Sequence, residues 1–357
     1  MGSTTTRLLK AGLSALYYTG AGRLMSPLTG GAGVIFTLHH VRPARRDGAA
    51  AFDPNGILAV TPEFLDGVIR QVIEAGYEIL SLDEAAVRLK TGGSRPFACF
   101  TLDDGYRDNR DHALPIFRRY GVPFTIYVPS AFADGTGELW WLTLERTLAK
   151  AAAVEIDMDG EARRFETRTA DEKQAVFDAI YWWLRAIPER EARAAVAALA
   201  AAHGIDPLDA CREEVMSWEE LRALSRDPLV TIGAHTTGHF ALSKLSREEA
   251  RTQIADNVAR IEAEIGKPCR HFSYPYGCEK SAGEREFALC RELGLATAVT
   301  TRKGMIHSRD ASRMTGLPRM SLNGEFQDRR YIEVLLSGAP FALWDAMRRV
   351  ARPVAGA

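Results

Sequence analysis

Two adjacent carboxylates, Asp103 and Asp104, stand in the stretch FTLDDGYRDN, directly after an apolar run and directly before Gly105. Neighbouring side chains of a regular strand point to opposite faces, and like charges repel, so plain strand gains nothing from the pair. A second concentration of chemistry lies in HTTGH, where His235 and His239 are separated by three residues. That spacing brings two imidazoles to one side of a helical turn, and neutral imidazole is a common ligand for zinc and similar metals. Two histidines and one aspartate make a facial three-ligand set that leaves positions open for water and substrate. The paired carboxylates then divide the work. One binds the metal, the other is held a few ångströms away as a base, and the cation relieves their repulsion.

The surrounding pattern says how these residues are positioned. Short apolar runs at 33–41, 77–82, 96–104, 122–130, 229–236 and 269–277 alternate with helical spacings such as 61–77 and 246–267, and the alternation closes with 295–301 and 316–322. Strand, helix, strand with short joints predicts a parallel sheet or barrel. Active residues of such folds sit on loops at the carboxyl ends of the strands, where DDG and HTTGH both fall. Between about 135 and 215 the chain is rich in Ala, Glu and Arg at helical spacing, which predicts a helical insertion. The expected organisation is an N-terminal amphipathic helical segment over 1–29, the barrel with its insertion over 30–330, and a C-terminal helical tail over 331–357.

The bulk composition excludes several classes. Of 357 residues, 46% are hydrophobic and 25% charged, as in a soluble globular protein with a sizeable core. The formal net charge of −1 gives no basic field for nucleic acid. Five cysteines with no CxxC make no disulfide framework and fit a reducing compartment. No run of eighteen apolar residues predicts a membrane span. The segment TTTRLLKAGLSALYYTGAGRLM has too weak an apolar stretch for a signal peptide, so the expected location is cytoplasmic, with membrane association open. Its Leu8, Leu9, Leu13, Leu16 and Tyr17 share a helical face that suits packing against the domain or peripheral contact with a membrane surface.

TLDDG, HTTGH and SYPYG together resemble the first three motifs of the NodB-like polysaccharide deacetylases, carbohydrate esterase family four, over roughly 30–325. The resemblance implies an α/β fold, a distorted (β/α)7 barrel here carrying the insertion. It also implies one divalent metal, usually zinc, and removal of N-acetyl groups from an amino-sugar glycan or glycolipid. It assigns Asp103 as catalytic base and Asp104, His235 and His239 as metal ligands. It gives Tyr276 a backbone N–H for the oxyanion, with Pro275 and Tyr276 walling the pocket. The chain departs from the family where Ser273 stands in place of the third motif's arginine, and Arg319 in GLPRMSL is the replacement candidate. TLHHV is similar to the segment that supplies the general acid in a subset deacetylating exported poly-N-acetylglucosamine, which looks circularly permuted. This selects His39, with His40 and His307 as rivals. Trp140 and Trp141 offer an apolar face to a sugar ring or anchor the insertion. An O-acetyl esterase, or a catalytically silent carbohydrate-binding protein on the same fold, are the alternatives.

Overall fold

The computed structural model describes residues 3–44 and 52–351, so the last six residues of the expected C-terminal tail lie outside the described residues. Seven parallel strands form the frame: β1 (Gly33–Leu38), β2 (Phe97–Leu102), β3 (Phe124–Val128), β4 (Val230–Ala234), β5 (His271–Ser273), β6 (Thr297–Lys303) and β7 (Leu317–Ser321). Each pairs with its sequence neighbour, and β1 pairs with both β2 and β7, so the sheet closes on itself. A two-residue strand, Glu78–Ile79, flanks β2 outside the ring. The ring is distorted. β4 and β5 share a single register pair, Ala234 with Phe272, and the register shifts between β6 and β7.

Alternation along these strands sorts the residues into two layers. Val34, Phe36, Leu38, Ala98, Phe100, Leu102, Phe124 and Ile126 belong to the large core between the sheet and the surrounding helices. Ile35, Cys99, Tyr127, Val299 and Leu317 belong to a separate cluster within the barrel. The interior is tight around Tyr127: a Cβ at Gly233 would lie 2.6 Å from its ring, so only glycine fits there on β4. The outer helices begin with side-chain caps. Thr61 accepts from Phe64 N before Pro62–Glu74, and Ser81 and Ser246 form reciprocal capping boxes with Glu84 and Glu249.

The inserted segment has its own apolar core, which includes Trp140, Leu144, Val176, Ile180 and Val196. It is mostly helical, as expected, but it also contains an antiparallel hairpin, Ala153–Met158 with Glu161–Glu166. Its turn is Asp159-Gly160, with φ of +60° and +84°, the left-handed pair that an Asp-Gly hairpin turn requires. The helix Ala170–Ala186 follows, started by a Thr169–Glu172 capping box. The N-terminal helix Ser3–Tyr18 buries Leu13 and leaves Leu8 70% exposed, so the predicted apolar face is only partly covered. Among the described residues, no helix is long and apolar enough to cross a membrane. All five cysteines are free.

Candidate active site

Strand parity delivers the site. Leu38 of β1 pairs with Leu102 of β2, so His39 and Asp103 leave adjacent strands at the same level. Both continue the inward-facing set of Ile35 and Cys99, and both line a cleft of 430 Å³ at the carboxyl end of the barrel. Asp104 would face outward by the same rule. Instead its backbone takes φ +75°, followed by Gly105 at +73°, and Asp104 lines the same cleft as Asp103. The two neighbours share one pocket because the strand ends at Leu102 and the backbone turns left-handed at Asp104.

Asp104, His235 and His239, all buried, each offer one ligand atom, and the three atoms lie within 4.8 Å of one another. Asp104 Oδ1 is 3.5 Å from His235 Nε2 and 3.4 Å from His239 Nε2. His235 Nδ1 bonds the Ser273 carbonyl at 2.6 Å, which leaves Nε2 as the ligating atom, and the His235 backbone N–H donates to Asn257 Oδ1 at 2.7 Å. Asp104 Oδ1 is buried with no hydrogen-bond partner among the described residues. Burial first, and then the Asp103 charge, push the Asp104 carboxyl well above the usual range. Burial likewise lowers both histidines, strongly at His239, and keeps them neutral. Two neutral imidazoles converging on a carboxylate oxygen that lacks a hydrogen-bond donor fit a divalent cation, which would offset the buried charge where Tyr106 and the Arg319 charge do so only in part.

Asp103 has the opposite environment. Arg319 arrives from β7, fully buried, and donates to Asp103 Oδ1 at 2.8 Å and Oδ2 at 2.6 Å. Its remaining donors reach the Thr300 carbonyl, Thr101 Oγ1 and Ser273 Oγ, so all five guanidinium N–H groups have acceptors. Burial opposes ionisation here, yet the Arg319 charge and its hydrogen bonds overcome it and hold Asp103 well below the usual carboxylate range. Ser273 accounts for the exchange of arginines: a small side chain on β5 leaves room for a guanidinium from β7, and its hydroxyl bridges Arg319 and Asp103.

His39 Nε2 lies 4.0 Å from Asp103 Oδ2, in the cleft. Burial lowers its pKa to about 4 against the raising effect of Asp103, with Arg319, His40 and His235 also lowering it. The nearby Asp103 carboxylate is thus outweighed, and burial favours the neutral imidazole. His40 turns the other way, bonds Asp108 Oδ2 through Nδ1 at 2.6 Å and stacks on Tyr106. His307 lies in a different pocket, with Leu28 and Gly304.

Two sequence expectations need correction. Trp140 does not line the cleft: it is buried and donates from Nε1 to the Tyr276 hydroxyl at 2.9 Å. Consecutive helical positions are about 100° apart, and Trp141 takes the cleft position, its ring 5.0 Å from that of His239. Pro275 is buried, and of the two only Tyr276 lines the cleft. The structure adds cleft residues that no motif announced, including Asn55, Phe177, Tyr181, Trp182 and Arg185. Among the described residues, five non-glycine residues have positive φ, and four of them are Asp104, Thr236, His239 and Tyr276. Such conformations cost of order 1–3 kcal/mol each and gather where function requires them.

A family model described as polysaccharide deacetylase matches residues 90–297. The chain belongs to the polysaccharide deacetylase family. The match covers Asp103, Asp104, His235, His239 and Tyr276, whereas His39, just past β1, and Arg319, on β7, lie outside it. No curated protein matches in sequence. Solved structures share the fold at low identity. The deacetylase PplD of Streptococcus pyogenes, solved with acetate, has 13% identity and a TM-score of 0.56, covering 85% of this chain and 97% of that one. IcaB from Ammonifex degensii has 15% identity and a TM-score of 0.53 over 87% and 98%. A de-N-acetylase from Aggregatibacter actinomycetemcomitans has 14% identity and a TM-score of 0.52 over 84% and 98%. This polysaccharide deacetylase is thus a (β/α)7 barrel hydrolase of acetylated glycans, with its charged groups gathered at one end of the barrel.

Proposed function

We propose that the protein removes N-acetyl groups from an amino-sugar glycan by metal-assisted hydrolysis, and that its metal is zinc. The observation that carries this reading is the convergence of Asp104, His235 and His239 beside a separately held carboxylate, Asp103. When bound, the metal supplies Lewis-acid chemistry toward the attacking water and the acetyl carbonyl. Asp103, fixed by Arg319, accepts the proton of that water. The Tyr276 N–H donates to the developing oxyanion. His39, beside Asp103 with Nε2 4.0 Å from its Oδ2, gives a proton to the departing amine. An N/O donor set of two imidazoles and one carboxylate supports zinc over magnesium or calcium, which favour oxygen ligands.

A second assignment of the proton transfers has its own support. Arg319 occupies both Asp103 oxygens and depresses its basicity, whereas His39 is neutral at pH 7. His39 would then take the proton from water and pass it to the amine, and Asp103 would orient it and stabilise its charged form.

Acetate release from N-acetylglucosamine oligomers, measured before and after chelation and zinc restoration, tests the reading. Release only from O-acetylated glycans would replace the N-deacetylase with an esterase, and full release from metal-free protein would end the metal assignment. We further propose peripheral membrane contact through the N-terminal helices, supported by exposed Leu8 between Arg7 and Lys10 on Ser3–Tyr18 and by exposed Leu24 and Leu28 on the following helix, Ala21–Thr29. Co-sedimentation with anionic vesicles checks it, and a protein that stays in the supernatant refutes it.

A further inference from the structure

The helix Ala170–Ala186 lays Phe177, Asp178, Tyr181, Trp182 and Arg185 along the cleft, positions i, i+1, i+4, i+5 and i+8 of one helical face. Most of this face is tied down. Tyr181 packs against Phe177 with ring centroids at 5.7 Å and against Trp140 at 5.2 Å. The Arg185 guanidinium sits 3.4 Å over the Tyr276 ring and donates to Ser281 Oγ. Trp183, on the other side of the helix, donates to Asp159 at the hairpin turn. Trp182 is the exception: it stands edge-on to Tyr181 at 5.2 Å and remains 63% exposed at the rim. Beside it is the Asp178 carboxylate, which accepts from Gln174 Nε2 at 3.1 Å.

Resting on the glycan-deacetylase reading, we propose that Trp182 and Asp178 form a subsite for the sugar next to the one being deacetylated, so that the substrate is an oligosaccharide and not a single amino sugar. The reacting groups lie in the buried depth of the cleft, and its 430 Å³ is at the small end for a ligand site. Once the acetylated sugar fills it, a neighbouring sugar must lie on the rim. A pyranose presents an apolar face of C–H groups, which packs on an indole ring, and carries its hydroxyls around its edge, within reach of a carboxylate one turn of helix away. Water contact at Trp182 has no benefit for the free protein, and an underlying shelf of fixed aromatics keeps the platform from collapsing inward.

The test is equilibrium binding of N-acetylglucosamine and its trisaccharide to the zinc-loaded protein, to Trp182→Ala and to Trp182→Phe. The wild type binds the trisaccharide more tightly than the monosaccharide. In Trp182→Ala the trisaccharide-to-monosaccharide affinity ratio falls about 10-fold, the size of one aromatic packing contact, and Trp182→Phe restores most of it. In turnover, Trp182→Ala raises KM for the trisaccharide and leaves kcat in place. An unchanged ratio in Trp182→Ala, or a wild type indifferent to chain length, overturns the proposal. A wild type that binds by length but releases no acetate from any glycan would defeat the deacetylase reading and leave the subsite standing.

Discussion

The barrel mouth and the insertion that overhangs it contribute to one cleft by different physical means. At the mouth, charges are buried and fixed: Arg319 spends every donor, Asp103 is gripped at both oxygens, and the backbone is held at positive φ in four non-glycine residues. In the insertion, aromatic side chains packed on an apolar core present a face to the cleft, and Trp182 is left in solvent. Buried charge is unforgiving, because removal of one partner leaves the other uncompensated. Aromatic packing is tolerant, because a smaller ring still packs. On the proposed reading, chemistry is placed where substitution is most severe and recognition where it is mildest.

Substitutions should separate the two regions in graded fashion. The largest effect is expected at the ligand cluster. His239→Ala should lose metal and activity together, activity by on the order of 10³-fold, read by metal analysis alongside acetate release. A variant that keeps both would remove His239 from the cluster's role. Next is the buried pair. Arg319→Met should destabilise the fold by about 3–5 kcal/mol in denaturant titration, because it strands the Asp103 charge, and adding Asp103→Asn should recover much of that loss. Simple additivity of the two would show that they are not coupled.

Asp103→Asn should retain metal and lower turnover by about 10²-fold. Its comparison with His39→Ala decides between the two proton assignments. If Asp103 is the base, both variants are severely impaired on an amide, and only His39→Ala recovers on an activated aryl ester, whose leaving group needs no proton. If His39 carries the proton both ways, His39→Ala is impaired on amide and ester alike.

The metal-free protein should also lose thermal stability as pH falls from about 6.5 towards 4. Burial depresses His39, His235 and His239 in the fold, so at these three groups the unfolded chain binds more protons across that window, against the single opposing contribution of the raised Asp104 carboxyl. Stability is full above the unfolded value and drains below it. His39→Asn should flatten part of this slope in a series of melting curves, and an identical slope would mean that His39 is not held neutral. The smallest effect belongs to the insertion. Trp140→Phe removes its hydrogen bond to Tyr276 and should lower stability by about 1 kcal/mol, with little change in turnover.

The barrel was legible in the sequence because its strands are short apolar runs separated by capped helices, and period-2 alternation from Ile35 and Cys99 is enough to aim His39 and Asp103 inward. The insertion was legible as a unit but misread inside. AVEIDMDGEARRFE alternates, and its Asp-Gly marks a hairpin, yet the helical spacing around it dominated the reading. Arg319 could be nominated because a missing partner at Ser273 had to be replaced from somewhere. That Trp141 and not Trp140 faces the cleft depends on the rotation of a helix, which no local pattern sets. The left-handed backbone at Asp104, Thr236, His239 and Tyr276 left no trace either, because glycine is the usual advertisement for such geometry and these four carry side chains.

The grip of Arg319 on Asp103 has a consequence in time. The residue that completes the first motif's environment lies on the last strand of the ring, 216 positions further along the chain. During synthesis, β2 and its two aspartates emerge early, but the ring cannot close until β7 reaches β1. Until then Asp103 has no guanidinium partner from β7, and its charge can be satisfied only by water. Closure of the sheet and pairing of the Asp103 carboxylate are therefore one event, so a nascent chain halted before residue 317 would carry Asp104, His235 and His239 and still lack the Arg319 partner of Asp103.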